Sequence, residues 1–128
     1  QSRWIFMNSQ ISKCAFVPAH QLVTFPVAHG EGRYVTDEKT LDHLQKNGQI
    51  VFTYSDPLSK ETTEKYPMNP NGSPQGIAGI CDDTGLVFGM MPHSEDFIRP
   101  EHHPNWRRTH SPQEPDGLRF FRNLVEFL

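Results

Sequence analysis

His93 and Glu95 are the two residues whose types and spacing point most directly to chemistry. They stand two positions apart in the segment Met-Pro-His-Ser-Glu at 91–95. In an extended backbone, side chains at i and i+2 project from the same side, so the carboxylate could hold and orient the imidazole. An oriented imidazole is the general base of a nucleophilic triad. The spacing indicates such a pair, although it also occurs in surface pairs and loop-capping contacts.

The two cysteines of the chain do not complete such a triad. Cys81 stands beside Asp82 and Asp83, and negative neighbours raise the pKa of a thiol. Cys14 follows Lys13, which favours a thiolate, but no Gly-x-Cys-x-Gly turn surrounds it. We interpret both cysteines as structural residues, and no nucleophile is visible in the sequence.

A histidine-rich segment, Glu101-His102-His103, could form a metal site together with His93. Neighbouring histidines on a strand point to opposite faces, so His102 and His103 would not easily reach one ion together. A solvent-exposed loop is the favoured interpretation. We predict no metal and no cofactor.

Two polar loops are candidates for binding a substrate or a partner. Residues 29–33 read His-Gly-Glu-Gly-Arg, and glycines let a backbone approach another surface closely; the alternative is a tight turn with a hydrogen-bonded histidine. Residues 66–73 form either a binding loop or a structural Ω-loop, and they lack the lysine of a phosphate-binding P-loop. The candidate contact residues are His29, Glu31, Arg33, Asn69, Asn71 and Ser73.

The elements that must position these residues are mostly strands. Residues 22–28 predict a strand, in which Pro26 indicates an edge or a bend, and residues 49–54 predict another. Residues 76–80 and 86–90 predict two strands joined by a tight Asp-Asp-Thr-Gly turn.

Two helices complete the prediction. The first is capped by Thr36 and ends at Asn47-Gly48. The second covers residues 118–128, where apolar residues recur at helical spacing, and its phenylalanines are interpreted as core. Between Ser94 and Pro115 the sequence shows little periodicity and contains four prolines.

Length and composition limit the classes of function. A chain of 128 residues fits one domain, and 35% hydrophobic with 21% charged residues is typical of a globular protein. The net charge of −3 gives no reason to expect nucleic acid as a partner. No apolar run suits a membrane helix or a secretory signal, so we expect reduced thiols and a cytoplasmic location.

Four motifs in series carry a resemblance to a known family. They are residues 27–33, residues 66–74, the Gly-Ile-Ala-Gly-Ile segment at 76–80, and the segment 89–95 that ends in the His-Ser-Glu sequence. In this order they resemble the glutaminase component of phosphoribosylformylglycinamidine synthase, a class I (triad) glutamine amidotransferase of purine biosynthesis. The resemblance extends from about Arg3 to about Arg99 and includes the closing helix.

The resemblance implies roles for the pair. His93 would be the triad base and Glu95 its orienting carboxylate, in a reaction where a cysteine thiolate attacks the carboxamide of glutamine. The ammonia would pass to a synthetase that uses ATP to make the amidine. The family usually has proline where Ser94 stands, and proline fixes φ. Its cysteine turn lies in an N-terminal half that has no counterpart among these residues.

The predicted fold is therefore α/β, the C-terminal, strand-rich part of a flavodoxin-like, three-layer class I glutamine amidotransferase domain. Residues 1–128 would form a single partial domain, inactive alone because a base without its nucleophile retains little activity. A truncated sheet would expose an edge, which predicts self-association. The alternative function is a non-catalytic interaction module whose two polar loops dock a synthetase partner.

Overall fold

An antiparallel sheet of five strands forms the centre of the computed structural model, which describes residues 1–108 and 114–128. In chain order the elements are β1 (Ser2–Ser9), β2 (Leu22–Ala28), α1 (Glu38–Lys46), β3 (Ile50–Ser55), β4 (Ile77–Cys81), β5 (Phe88–Met90) and α2 (Asp116–Phe127). The strand order across the sheet is β2-β1-β3-β4-β5. The mixed α/β class is confirmed, whereas the flavodoxin-like, three-layer arrangement stays a prediction for a complete domain.

Strand β1 was not identified from the sequence. Its burial alternates, with Ile5, Met7 and Ser9 buried. The hydrophobic pattern does not alternate in the same way, because Trp4 and Phe6 place large apolar groups on the opposite face. An antiparallel strand with apolar residues on both faces gives no clear period-two signal.

The other predicted elements lie within a few residues of their expected bounds. Strands β2 and β3, the β4–β5 hairpin and both helices are confirmed. The cap of α1 is different: Asp37, not Thr36, is the N-cap, and its Oδ1 accepts the N–H of Thr40 at 2.7 Å. An aspartate at this position satisfies one of the free N–H groups of the first turn.

The apolar residues of α2 divide between two faces. Phe120 and Leu124 pack against the core. Others are exposed: Leu118 at 43%, Phe121 at 37%, Val125 at 69% and Phe127 at 43%, together with Leu128, just after the helix, at 93%. The exposure of Phe121 and Phe127 corrects the expectation that the phenylalanines of this helix are core. Only one stripe of a helix can face the sheet it packs on, so a helix with apolar residues on two sides leaves one of them uncovered.

The two outer strands of the sheet differ in how their edges are covered. At β2, the N–H of Thr24 donates to Asp116 Oδ2 at 2.8 Å, and the carbonyl of Pro26 accepts the N–H of His93 at 2.8 Å. Pro26 thus lies in an edge strand, as its residue type predicted. At β5, no strand among the described residues pairs with the outer edge.

The core lies between the sheet and α2 and is built from aromatic and aliphatic side chains. Phe25, Met7 and Tyr54 are fully buried, and Phe16 and Phe52 contact the same cluster. Among residues 1–108 and 114–128, no helix has both the length and the apolar character needed to cross a membrane.

Candidate active site

The segment that carries His93 and Glu95 follows β5 directly and is fixed to β2. After Met91-Pro92 the chain forms a 3-10 turn at Ser94–Asp96, and His93 caps its start. The backbone N–H of His93 donates to the carbonyl of Pro26, at 2.8 Å. The outer strand therefore holds the backbone of the candidate base.

The side chains of His93 and Glu95 form a hydrogen bond, with 2.8 Å between Nδ1 and Oε1. The two side chains meet across a 3-10 turn rather than along an extended strand, which corrects the geometry expected from the sequence. Donation from Nδ1 leaves Nε2 of the neutral ring with the free lone pair that a general base requires.

The charge of Glu95 supports this hydrogen bond. The pKa of Glu95 is lowered, first by the bond from the His93 side chain and then by its own backbone N–H. The imidazole is 38% exposed and the carboxylate 60%, so the pair is open to a group arriving from outside the chain. A carboxylate that stays ionised holds the ring in one orientation.

Ser94 stands where the resemblance leads one to expect proline. It is buried, at 3% exposure, and occupies the first position of the 3-10 turn. Proline suits this position because its fixed φ matches a helical start and no N–H is needed there. The His93–Glu95 hydrogen bond forms with serine in place.

Neither cysteine has the surroundings of a reactive thiolate. Both are free and buried in the core. Burial, and then the nearby Cys81, raise the pKa of the Cys14 thiol to about 11, so Lys13 does not produce a thiolate. The pKa of Cys81 is also raised, first by burial and then by Asp82. Both thiols are protonated at neutral pH and shielded from substrate.

Two of the predicted loop residues, Asn69 and Ser73, form hydrogen bonds that hold the loops. Asn69, 1% exposed, accepts the N–H of Ser73 through Oδ1 at 3.0 Å and donates through Nδ2 to the Ser73 carbonyl at 2.8 Å. The hydroxyl oxygen of Ser73 accepts the N–H of Tyr34 at 3.0 Å. The Tyr34–Ser73 bond joins the two loops, whereas the Asn69 bonds hold the 66–73 loop itself, so both residues have structural contacts in the chain.

His29 and Asn71 form a clamp between the same loops. With the Asn71 amide oxygen facing the ring, it accepts from His29 Nδ1 at 2.9 Å and from the N–H of Gly32 at 3.2 Å. Gly32 is needed here, because a Cβ at 32 would lie 2.2 Å from the His29 ring. Glu31 and Arg33 are exposed on the loop that this clamp holds.

His29 provides a measurable test of this clamp. Its pKa is lowered, mainly by burial and also by the charges of the N-terminus and of His93. A histidine with a lowered folded pKa adds stability that is lost as pH falls through that pKa. We therefore expect the ring C–H signals of His29 in NMR to titrate below the ordinary range, and Asn71→Ala to shift the midpoint, because the variant removes the acceptor of the Nδ1–H and changes the burial of the ring. An unchanged midpoint in Asn71→Ala would contradict the clamp.

The histidine-rich segment does not join His93 in a metal site. His102 Nδ1 lies 3.1 Å from the Asp96 carbonyl, and the His103 ring packs on Trp4 at 4.6 Å. Within the described part of the chain, the residues close enough to share an ion are His93, Glu95 and Asp96. Glu95 is already bonded to the imidazole, so we assign this cluster no metal role.

The contacts that fix the site were not foreseen from the sequence. They include the carbonyl of Pro26, the carboxylate of Asp116 and the backbone of Gly117, which lies against the turn after His93. These contacts join residues far apart in the chain and leave no periodic or motif signal. Another long-range contact joins β1 to the 66–73 loop: the Arg3 guanidinium donates to the Tyr66 hydroxyl at 2.8 Å and lies over the same ring.

Comparison with known proteins identifies the family of the chain. The profile of the CobB/CobQ-like glutamine amidotransferase domain matches residues 1–128. The chain therefore belongs to this family of glutamine amidotransferase domains. Within it, the chain is similar to phosphoribosylformylglycinamidine synthase subunit PurQ, which confirms the resemblance seen in the motifs.

The relatives are similar over most of this chain but are much longer than it. PurQ of Methanococcus maripaludis is 38% identical over 99% of the chain and 50% of its own length. PurQ of Dehalococcoides mccartyi is 35% identical over 99% of the chain and 48% of its own length. The chain thus spans about half the length of the curated relatives it matches.

One solved structure supports the fold. In the structure of PurLQS from Thermotoga maritima, a matching chain has a TM-score of 0.63 and 21% sequence identity. The match covers 99% of this chain and 47% of that one.

Proposed function

We propose that this chain supplies the acid–base half of a glutaminase site that releases ammonia for the synthesis of formylglycinamidine ribonucleotide. The observation that carries the proposal is the 2.8 Å bond between His93 Nδ1 and Glu95 Oε1, in a chain of the glutamine amidotransferase family. The relatives are named as a subunit of phosphoribosylformylglycinamidine synthase, which supports the proposed reaction. The synthetase partner and its use of ATP are part of the proposal and follow from the resemblance.

In the proposed reaction, His93 Nε2 takes the proton of a cysteine thiol, and the resulting thiolate attacks the carboxamide carbon of glutamine to form a tetrahedral intermediate. His93 Nε2 delivers a proton to the nitrogen, the C–N bond breaks, and ammonia leaves a thioester behind. Water then attacks the thioester, His93 takes its proton and returns it to the sulfur, and glutamate is released. Glu95 keeps Nδ1 protonated throughout, so that Nε2 performs each transfer.

The nucleophile must come from polypeptide outside these 128 residues. The two thiols present are buried and protonated. The relatives are about twice as long as the matched region. We therefore propose that residues 1–128 form a partial domain and that the remaining part carries the cysteine.

A groove lined by β4, β5 and residues 33–35 is the proposed binding place of that remaining part. It has a volume of about 350 Å³, and its lining includes Tyr34, Val35, Ala78, Met90 and Met91. Val35 is 77% exposed and Met91 42%, which is a high exposure for apolar side chains. Met91 stands two residues before His93, so a segment seated here would bring its nucleophile beside the imidazole.

Complementation tests this proposal. The chain is mixed with the remaining part of a PurQ domain, and glutamate release is measured as that part is titrated. Val35→Asp should weaken the assembly at least about tenfold, because a carboxylate without a partner would be buried in the groove. Leu58→Asp is the matched control, since Leu58 is 92% exposed and lies outside the groove. Equal activity of the two variants would contradict the proposed binding place.

The second candidate is a non-catalytic module that docks a synthetase. Its support is the clamped loop that presents Glu31 and Arg33 to solvent. Pull-down of a synthetase subunit, lost in a Glu31→Ala and Arg33→Ala double variant, would support docking. Absence of glutaminase activity after complementation would then favour this function over the first.

A further inference from the structure

The first two residues of α2 contact both of the segments that hold His93. The Asp116 carboxylate accepts the N–H of Thr24 in β2 at 2.8 Å and the Arg119 guanidinium at 2.6 Å. The N–H of Gly117 donates to the carbonyl of Phe97, at 3.0 Å, just after the 3-10 turn. The start of α2 therefore touches the outer strand on one side and the His93 segment on the other.

Gly117 lies so close to this segment that no side chain fits. A Cβ at 117 would lie 2.0 Å from the Ser94 carbonyl oxygen and 2.5 Å from the Phe97 carbonyl oxygen. Both atoms are backbone, so neither can move aside by changing a rotamer. Glycine is a poor helix former, and this close approach of helix and turn is the physical reason for its presence in α2.

These contacts close a ring around the candidate base. The carbonyl of Pro26 in β2 accepts the N–H of His93. The backbone of Gly117 packs against the turn between His93 and Phe97. The carboxylate of Asp116 accepts the N–H of Thr24, which lies in β2 again. The His93 segment is thus held from the strand side and from the helix side. Displacement of α2 would move the turn that sets Glu95 against the imidazole.

We propose that Gly117 and Asp116 are positioning residues, which place the His93–Glu95 pair through the backbone of the turn between them. This inference rests on the proposed function in one respect, namely that His93 and Glu95 are the catalytic pair. Neither residue touches substrate. Their effect passes through the position of the His93 segment.

The first test measures the His93 ring directly in the 128-residue chain. Nitrogen chemical shifts in NMR report which ring nitrogen carries the proton, and we expect the Nδ1–H form in the wild-type chain because Glu95 accepts from Nδ1. Gly117→Ala should change this to a mixture of tautomers as the turn is displaced. Gly89→Ala is the matched control, because nothing lies within 4 Å of a Cβ at 89. An unchanged His93 tautomer in a folded Gly117→Ala variant would overturn the proposal.

A second pair of variants covers the case in which Gly117→Ala does not fold. Asp116→Ala removes the acceptor for the Thr24 N–H without adding bulk, and should loosen the same tautomer preference. Asp116→Asn retains an acceptor oxygen and should restore it. A purely structural role would predict lower stability in Asp116→Ala with the His93 tautomer unchanged, and that result would also overturn the proposal.

Kinetics in the complemented domain separates this inference from the proposed function. Gly117→Ala should lower kcat by about 100-fold with a smaller change in KM, as expected for a misplaced catalytic group. If His93→Ala leaves turnover unchanged, the proposed function fails, whatever the NMR result. If His93→Ala abolishes turnover but Gly117→Ala affects neither kcat nor the tautomer, only the positioning role fails.

Discussion

Glutamine hydrolysis by the complemented domain should fall at least about 1,000-fold in His93→Ala, because the proton transfers to ammonia and from water both use this imidazole. The fall in the rate of glutamine hydrolysis should be about 10 to 100 times smaller in Glu95→Ala than in His93→Ala, since the ring loses its orienting partner but keeps the nitrogen that transfers the proton. The measurement is steady-state glutamate release, with association of the two parts checked separately.

The control for this pair of variants is His43→Ala. His43 is an exposed histidine on α1, with 58% of its side chain accessible, and it takes no part in the proposed chemistry. Its removal should leave turnover at the wild-type level. Turnover at the wild-type level in both His93→Ala and Glu95→Ala would reject the roles assigned to the pair.

Phe25→Ala is expected to cause the largest loss of stability. Phe25 is fully buried in β2, opposite Ile5 of β1 and next to Pro26, whose carbonyl holds His93. Truncation of a buried phenylalanine removes its transfer free energy and leaves a cavity, at a cost of about 3–5 kcal/mol. The free energy of unfolding, measured in urea, should fall by this amount.

A matched truncation on the surface shows whether burial is the cause. Leu58 is 92% exposed, and Leu58→Ala should change the free energy of unfolding by less than about 0.5 kcal/mol. A similar loss in both variants would mean that the core does not lie where the structure places it. Because Phe25 neighbours the anchor of His93, we also expect complemented activity to fall in Phe25→Ala at temperatures where the chain is still folded.

The elements that could be predicted from the sequence are those with local signals. Strand β2 contains several residues that favour strands, and its proline indicates a strand at the edge of the sheet. The β4–β5 hairpin has a turn sequence between two apolar segments. Strand β1 has no such signal, because Trp4 and Phe6 make its outer face as apolar as its inner face. The interpretation of the α2 phenylalanines as core is wrong at Phe121 and Phe127 for a related reason: spacing shows that residues share a face but not what covers that face.

At the site, the pairing of His93 with Glu95 could be predicted because the two residues are near neighbours in the chain. The geometry of the pair could not be predicted, because a 3-10 turn and a strand can each bring together two side chains that are two positions apart in the chain. The bond between Thr24 and Asp116 joins residues 92 positions apart, and no pattern within one segment reports it. The loop residues Asn69 and Ser73 illustrate the same limit: their mutual hydrogen bonds, which hold the loop, leave no signal in the sequence, and their binding role stays a prediction.

The unequal edges of the sheet limit how copies of this chain can assemble. Growth into a fibre requires two free strand edges in each copy, one to receive a neighbour and one to offer to the next. Here Pro26 has no N–H to offer, and its carbonyl and the Thr24 N–H are already occupied. Any strand-to-strand association through β5 therefore stops at two copies, so light scattering of concentrated protein should show masses up to a dimer and no continuous series of larger species.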